Sequence, residues 1–213
     1  MVKILIRRAK LCDVKQMKDI NTRNLAENYE IEYWNAVFSK HKEHCFVAIY
    51  TNLVIGYVLG NADTIVSFVV DEKFRGYGVG REIMHHCLNS YARDVCLHVR
   101  KSNDVARRLY YSLDFVDDHL VENYYTSPTE DAYEMVRRYD PRRPKYPERI
   151  KMNVELKVRD DGDWLVRTAQ APTSLLPASP PASLPVSLSA SLPVPEPAGA
   201  PAESTCRTPS SDR

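Results

Sequence analysis

Three glycines behind an arginine, "RGYGVG" at positions 75–80, form the most distinctive stretch of the sequence. The apolar run "TIVSFVV" before it predicts a strand buried on both faces, and the apolar spacing after it predicts a helix. The start of a helix binds anions through its unpaired N–H groups and its dipole. Glycines let a phosphate approach the main chain, and Arg75 adds a positive charge. The stretch therefore predicts a site for a phosphorylated ligand.

Common nucleotide motifs do not explain these glycines. A dinucleotide-binding turn needs G-x-G-x-x-G, but Arg81 occupies the third glycine position. Asp94, which lies at a suitable distance for a ribose-binding acid, begins the following strand instead of ending it. The G-K-[ST] of a phosphate-binding P-loop is absent. On these residues alone, a glycine-rich connection without a ligand remains the alternative.

The elements that must position this loop form an α/β domain. Helices are predicted at "CDVKQMKDINTRN", at about 31–40, from Val79 to about Tyr91, and at "SNDVARRLYYSL", where Ser102 or Asn103 caps the start. Strands are predicted at "VKILIRRA", "CFVAIY", "LVIGYVLG", "TIVSFVV", "DVCLHV", "FVDDHLVENYY" and "EDAYEMVRRY". The order is a set of antiparallel strands, a glycine-headed helix, a strand and a capped helix.

This order and five motifs resemble the GNAT acetyltransferase superfamily. Its pyrophosphate loop, [RQ]-x-x-G-x-[GA], corresponds to Arg75, Gly78 and Gly80. The stretches "LAENY" (25–29), "LHVRKSN" (97–103), "RLYYSLDF" (108–115) and "ENYYTSPTEDAYEM" (122–135) resemble segments of the catalytic subunits of N-terminal acetyltransferase A complexes. The resemblance covers about residues 4–138. It implies a mixed, mostly antiparallel central sheet flanked by about four helices, with acetyl-CoA as cosubstrate and no metal.

The resemblance also implies roles for particular residues. Glu27 is expected to draw the proton from the attacking amine, Arg100 to shape the site by pairing with Glu27 or a carbonyl, and Tyr110 to protonate the departing thiolate. Tyr110 also borders the buried face of its helix, so packing is the alternative role. The residues expected to bind the cofactor are Phe68, Val69, Val70, Arg75, Gly76, Tyr77, Gly78, Val79, Gly80, Asn103 and Tyr110. The residues expected to bind substrate are Tyr29, Tyr124 and Tyr125.

Two details of this expected site depend on local geometry. Adjacent residues of a strand point to opposite faces, so only one of Tyr124 and Tyr125 is expected to touch substrate, with Tyr125 preferred. Ala26 stands where the family has proline, which predicts a less rigid loop around Glu27. His41, His44 and Cys45 crowd together, but no second ligand pair follows them, so we expect no metal site there.

The chemistry of amines favours polypeptide N-termini as substrates. A free α-amine has a pKa near 7.7–8.0, so its neutral form costs roughly 1 kcal/mol at pH 7, whereas the neutral form of lysine costs about 4.6 kcal/mol. A modest base therefore suffices for an α-amine. The resemblance implies small or acidic first residues, a large helical-repeat auxiliary subunit and association with the ribosome. The alternatives are a GNAT that acts on lysine or a small amine, and a non-catalytic domain that binds acetyl-CoA or acts as a scaffold.

Composition divides the chain into an acetyltransferase domain (1–140), an extension of uncertain structure (141–170) and a tail (171–213). Of the 14 prolines, 10 follow Gln170, and Trp164 is the last aromatic residue, so the tail is predicted to be disordered. A proline-rich docking segment is the alternative. The extension alternates enough at "IKMNVELKVRDDGDWLVR" to form a strand or hairpin.

Charge and cysteine content describe the expected environment. A net charge of +1 gives no support to direct nucleic-acid binding. The 5 cysteines contain no C-x-x-C pair, which favours reduced thiols. The N-terminus does not resemble a signal peptide, and no apolar run reaches membrane-spanning length. We therefore expect a cytoplasmic protein, with the nucleus as a second location, that does not bind membranes.

Overall fold

The computed structural model describes residues 2–158, 164–168 and 190–191. Apart from residues 190–191, the tail predicted to be disordered (171–213) lies outside this part of the chain, as does the fifth cysteine, Cys206. The described part contains a mixed α/β fold with four α-helices, which confirms the predicted fold class. None of the described helices has the length and apolar character needed to cross a membrane.

One sheet organises the fold, and its pairing is almost entirely antiparallel. Its strands lie in the order β6-β7-β5-β10-β4-β3-β2-β1-β8-β9. The strands are β1 (Val2–Arg8), β2 (Phe46–Tyr50), β3 (Leu53–Gly60), β4 (Ile65–Val70), β5 (Val95–Arg100), β6 (Val116–Thr126), β7 (Thr129–Arg137), β8 (Lys151–Val158), β9 (Trp164–Thr168) and β10 (Ala190–Ser191). The helices are α1 (Val14–Asn24), α2 (Ile31–His41), α3 (Val79–Leu88) and α4 (Asp104–Tyr111).

Two hydrophobic cores cover the two faces of the sheet. Helices α3 and α4 pack over one core, and α1 and α2 pack over the other. Strand β4 contributes to both, because Phe68 and Val70 join the first core whereas Val69 joins the second. A strand that is buried on both faces reads as a continuous apolar run, which is how "TIVSFVV" appears in the sequence.

The sheet is interrupted between β4 and β5. These strands share a single isolated parallel bridge, Thr64 to Cys96, and then separate. Beyond the bridge, the backbone of β10 pairs with both: Ala190 lies opposite Phe68 and Val99. Beyond the bridge, the main-chain groups of β4 and β5 therefore do not pair with one another.

The extension packs onto the domain. The ring of Tyr146 stacks on His85 with centroids 4.7 Å apart, and its main chain exchanges two 2.9 Å hydrogen bonds with the side chain of Asn89. Strand β8 then pairs with β1, and β9 completes a hairpin with β8. Met152 and Val154 join the core beneath α3. The core therefore extends beyond residue 140, although "PRRPKYPE" forms no regular structure.

Candidate active site

The glycine loop has the geometry of a main-chain anion site. Gly76 and Gly78 have φ values of 82° and 79°, a region that other residues rarely adopt. Gly78 is the N-cap of α3, so the unpaired amides of the first helical turn follow it directly. Gly80 serves packing instead, because a Cβ there would meet the ring of Phe68 at 3.0 Å. The loop thus turns under the start of α3 and holds the helix close to β4.

Arg75 is oriented differently from the expected phosphate ligand. Its Nε donates to the carbonyl of Val70 at 2.9 Å, and one of its terminal nitrogens donates to Asn24 Oδ1 at 2.6 Å. Burial lowers the pKa of this guanidinium. Arg75 therefore ties the loop to the end of β4 and to α1. The contribution of its charge to cofactor binding stays a prediction.

Helix α4 carries Asn103 and Tyr110. The side chain of Asn103 accepts a hydrogen bond from the Ala106 amide at 3.1 Å, so Asn103, not Ser102, caps the helix. Tyr110 is fully buried, and its hydroxyl has no hydrogen-bond partner among the described residues. Burial raises the pKa of this phenol well above its usual value. A buried hydroxyl without a partner costs roughly 1–3 kcal/mol, so the position favours a ligand that completes its bonding.

Glu27 and Arg100 form an ion pair on the α1–α2 side of the sheet. Glu27 lies in the loop between the two helices, and Arg100 ends β5. Together with Tyr29, Tyr125 and Ser127, Glu27 lines a cleft of about 240 Å³. The predicted pairing of Arg100 with Glu27 is therefore present, and it holds a carboxylate at the wall of an open cleft.

A second carboxylate fixes Arg100. The guanidinium donates to Glu130 at 3.1 Å and to the carbonyls of Pro128 and Ser127, and it lies 4.0 Å from the ring centroid of Tyr125. Burial opposes ionisation of Glu130, but hydrogen bonds from Ser102 and Arg100 outweigh it and lower the pKa of that carboxyl. With so many fixed partners, Arg100 is a rigid support for Glu27, which lines the cleft.

The expected alternation of Tyr124 and Tyr125 is wrong. Between Val121 and Tyr125, four steps along β6 correspond to two steps along β7, and Asn123 within this bulge has φ 52°. A bulge abolishes the two-residue alternation of a strand. The two rings consequently contact each other edge to face, with centroids 5.0 Å apart. Tyr125 is fully buried, whereas Tyr124 is half-buried.

His98 is a functional candidate that the sequence analysis missed. It lies on β5 two residues before Arg100, on the same face, and its imidazole is buried and stacks on Tyr124 with centroids 4.3 Å apart. Its Nε2 lies 3.4 Å from Glu134 on β7. A hydrogen bond from His98 lowers the pKa of Glu134. An imidazole is a common proton acceptor in catalysis, so His98 is a second candidate base.

Comparison with known proteins identifies the family. Residues 13–115 match the acetyltransferase (GNAT) family. Over 162 residues the chain is 34% identical to an N-terminal acetyltransferase complex ARD1 subunit homolog of Dictyostelium discoideum, covering 70% of this chain and 79% of the relative. It is 31% identical to an N-alpha-acetyltransferase of Sulfolobus acidocaldarius, covering 61% of this chain and 89% of the relative. The chain belongs to the GNAT acetyltransferase family.

Solved structures agree with this assignment. Ard1 from Thermoplasma volcanium has a TM-score of 0.59 and 29% sequence identity, and the match covers 64% of this GNAT chain and 98% of Ard1. The NatC complex bound to Gag peptide and CoA gives a TM-score of 0.61 at 17% identity, which supports the fold alone. The GNAT fold class and the acetyltransferase assignment from the sequence are therefore confirmed.

The residues of this GNAT fit acetyl-CoA at three places. The positive-φ glycines place main-chain amides at the head of α3, where a diphosphate would bind. Strand β4 does not pair directly with β5 beyond the bridge, and its residues Phe68, Val69 and Val70 form the segment predicted to hold the cofactor arm. The hydroxyl of Tyr110, which has no partner among the described residues, lies in the core on the α3–α4 side.

The suspected metal ligands near the end of α2 have structural roles. His44 Nδ1 lies 2.7 Å from Ser90 Oγ, and its ring stacks on Tyr91. The Cys45 thiol donates to the carbonyl of His41. Within the described residues, Cys12, Cys45, Cys87 and Cys96 are free thiols. These contacts give the side chains of His44 and Cys45 partners within the protein.

Proposed function

We propose that this GNAT transfers the acetyl group of acetyl-CoA to the free α-amine of polypeptides, including nascent chains. The observation that carries the proposal is the arrangement of three possible proton-transfer groups on the two faces of the sheet. Glu27 and His98 lie on the α1–α2 side, and the buried hydroxyl of Tyr110 lies on the α3–α4 side. A polypeptide end approaches from the first side, and the cofactor from the second.

The chain's own residues supply acid–base chemistry. Acetyl-CoA provides an acetyl group that is activated as a thioester. Glu27 or His98 takes the proton that the attacking amine must lose, directly or through water. Tyr110, which burial keeps protonated, delivers a proton to the leaving sulfur. Arg100 holds Glu27 in place and acts as a positioning residue. None of these steps calls for a metal.

The cleft supports substrates with small first residues. Its volume of about 240 Å³ and its tyrosine-lined walls suit an extended main chain with a short first side chain. Acidic first residues are the second class that we propose. The name of the Dictyostelium relative, a subunit of an acetyltransferase complex, supports an auxiliary subunit. We further propose that this partner is a large helical-repeat protein at the ribosome and that the enzyme is cytoplasmic.

Mass spectrometry of peptides incubated with the protein and acetyl-CoA tests the function. Peptides should begin with Ser, Ala or Asp, and each should also contain an internal lysine. We expect a single acetyl group on the α-amine. The matched control is the same peptide with a blocked N-terminus. Acetylation of that control at lysine would favour the rival lysine acetyltransferase, and no acetylation of any peptide or small amine would favour a binding domain.

A further inference from the structure

A buried amide at the end of α1 contacts the loop that carries Glu27. Asn21 is fully buried, and its Nδ2 donates to the carbonyl of Glu27 at 2.7 Å and to Asn28 Oδ1 at 3.1 Å. The Asn28 amide in turn donates to the carbonyls of Leu25 and Ala26, both at 3.2 Å. The turn that bears Glu27 is thus fastened by two side-chain amides in series.

The other end of the Asn21 amide is held by the sheet. Tyr57 on β3 donates its hydroxyl to Asn21 Oδ1 at 2.7 Å and lies 2.7 Å from the hydroxyl of Ser67 on β4. Ser67 itself donates to Asn21 Oδ1 at 3.3 Å. Both N–H donors and the oxygen acceptor of the Asn21 amide are therefore engaged. The hydroxyls of Tyr57 and Ser67 on one side and the carbonyl of Glu27 on the other fix the orientation of the amide. A fully satisfied buried network of this kind is rigid.

This network connects β4, which is predicted to hold the arm of acetyl-CoA, with the loop that carries Glu27. Ser67 immediately precedes Phe68, where the main chain of β4 faces the gap, and Glu27 lies in the acceptor cleft. We propose that Asn21 is a positioning residue for acetyl transfer, which sets the place of Glu27 relative to β4. It supplies the rigidity that the loop lacks because Ala26 cannot restrict the backbone as proline does. The inference rests on the proposed function of Glu27.

A double-mutant cycle tests whether Asn21 acts through Glu27. Asn21→Leu keeps the branched shape of the side chain, at a larger volume, but removes both donors to the loop, and Tyr57 keeps Ser67 as a partner. Asn21→Asp is the second variant, because it retains the acceptor for Tyr57 and loses the donors. We expect either change to lower kcat about tenfold in the wild type and less than twofold in the Glu27→Gln background. The KM for acetyl-CoA should not change.

Amide hydrogen exchange gives a readout that does not depend on activity. Exchange across residues 25–30 should become at least tenfold faster in Asn21→Leu and stay unchanged in Glu27→Gln. Tyr57→Phe is the matched control, since it removes a buried hydroxyl of the same network but leaves both bonds from Asn21 to the loop. We expect it to lower the melting temperature while kcat stays within about threefold of the wild type.

Three results would overturn the proposal. The first is an equal loss of kcat from Asn21→Leu with and without Glu27, and the second is unchanged exchange of the loop. Full activity of Glu27→Gln would also overturn it, because Asn21 could then not act through that carboxylate. A wild-type protein that acetylates no peptide would contradict the proposed function instead, and the exchange experiment would still decide whether Asn21 holds the loop.

Discussion

The two sides of the sheet build their halves of the site from different parts of the chain. On the α3–α4 side, the cofactor half consists of main-chain groups: the amides that follow Gly78 and the edge of β4 that does not pair directly with β5. On the α1–α2 side, the acceptor half consists of side chains, with Glu27, Arg100 and His98 held by partners from other strands and loops. Local sequence specifies the first half, whereas tertiary packing assembles the second.

This contrast predicts that side-chain changes affect the acceptor half most. Replacement of Glu27 by glutamine keeps the shape of the side chain but removes the base and its ion pair with Arg100. General acid–base catalysis typically contributes 10²–10⁴-fold, so we expect kcat to fall by about 100-fold while acetyl-CoA binds normally. Steady-state kinetics and calorimetry with acetyl-CoA measure the two effects.

His98→Gln is the matched test for the other candidate base. If His98 is the base, the kcat of His98→Gln should fall by about 100-fold, and the kcat of Glu27→Gln should change little. A wild-type rate in both single variants would remove both residues from the chemistry. The comparison therefore assigns the base to one of two groups on the same side of the sheet.

Tyr110→Phe separates catalysis from packing. The tyrosine hydroxyl is buried without a partner among the described residues, so its removal should not lower the melting temperature. We expect a proton donor at the leaving sulfur to contribute less to kcat than the base does, so kcat should fall by roughly tenfold. Thermal unfolding measures the melting temperature, and single-turnover experiments measure the rate of acetyl transfer. An unchanged rate would show that Tyr110 only packs in the core.

The cofactor half should be sensitive to backbone changes. Gly78 has φ 79°, and a Cβ there would meet only Met152 Cε at 3.9 Å, so Gly78→Ala creates strain without a serious clash. A left-handed conformation costs other residues about 1–2 kcal/mol, which we expect to appear as an approximately fivefold to thirtyfold rise in the Kd of acetyl-CoA. The rate at saturating acetyl-CoA should stay near wild type. Unchanged affinity would argue against a main-chain grip on the diphosphate.

The same contrast explains what the sequence could predict. The order of elements, the cap at Asn103 and the glycine-headed helix depend on residues adjacent in the chain, and all are present. The pairing of Glu27 with Arg100 was anticipated only through family motifs. His98 was missed because the groups that distinguish it, Tyr124 and Glu134, come from β6 and β7.

Three further differences also have physical causes. The bulge at Asn123 shifts the register before Tyr124 and Tyr125, and periodicity cannot predict where a strand inserts extra residues. Arg75 turns towards Val70 and Asn24 because acceptors on β4 and α1 lie within its reach, which no loop motif records. The contacts of Tyr146 with α3 likewise come from a proline-rich segment without periodicity.

The smallest effect is expected from removing residues 171–213. Every side chain assigned to the site lies between residues 27 and 134, so a chain that ends at residue 170 should keep kcat within about twofold. The backbone of Ala190 pairs with Phe68 in the gap, where the main chain of β4 is predicted to hold the cofactor arm. Because two partners cannot pair with the same edge at once, removal of the tail should leave the KM of acetyl-CoA equal or lower by up to about threefold.

Kinetics at subsaturating acetyl-CoA measure this change in KM, with Ala190→Pro in the full chain as the matched control. A higher KM after deletion would mean that the tail helps to hold the cofactor instead of competing with it.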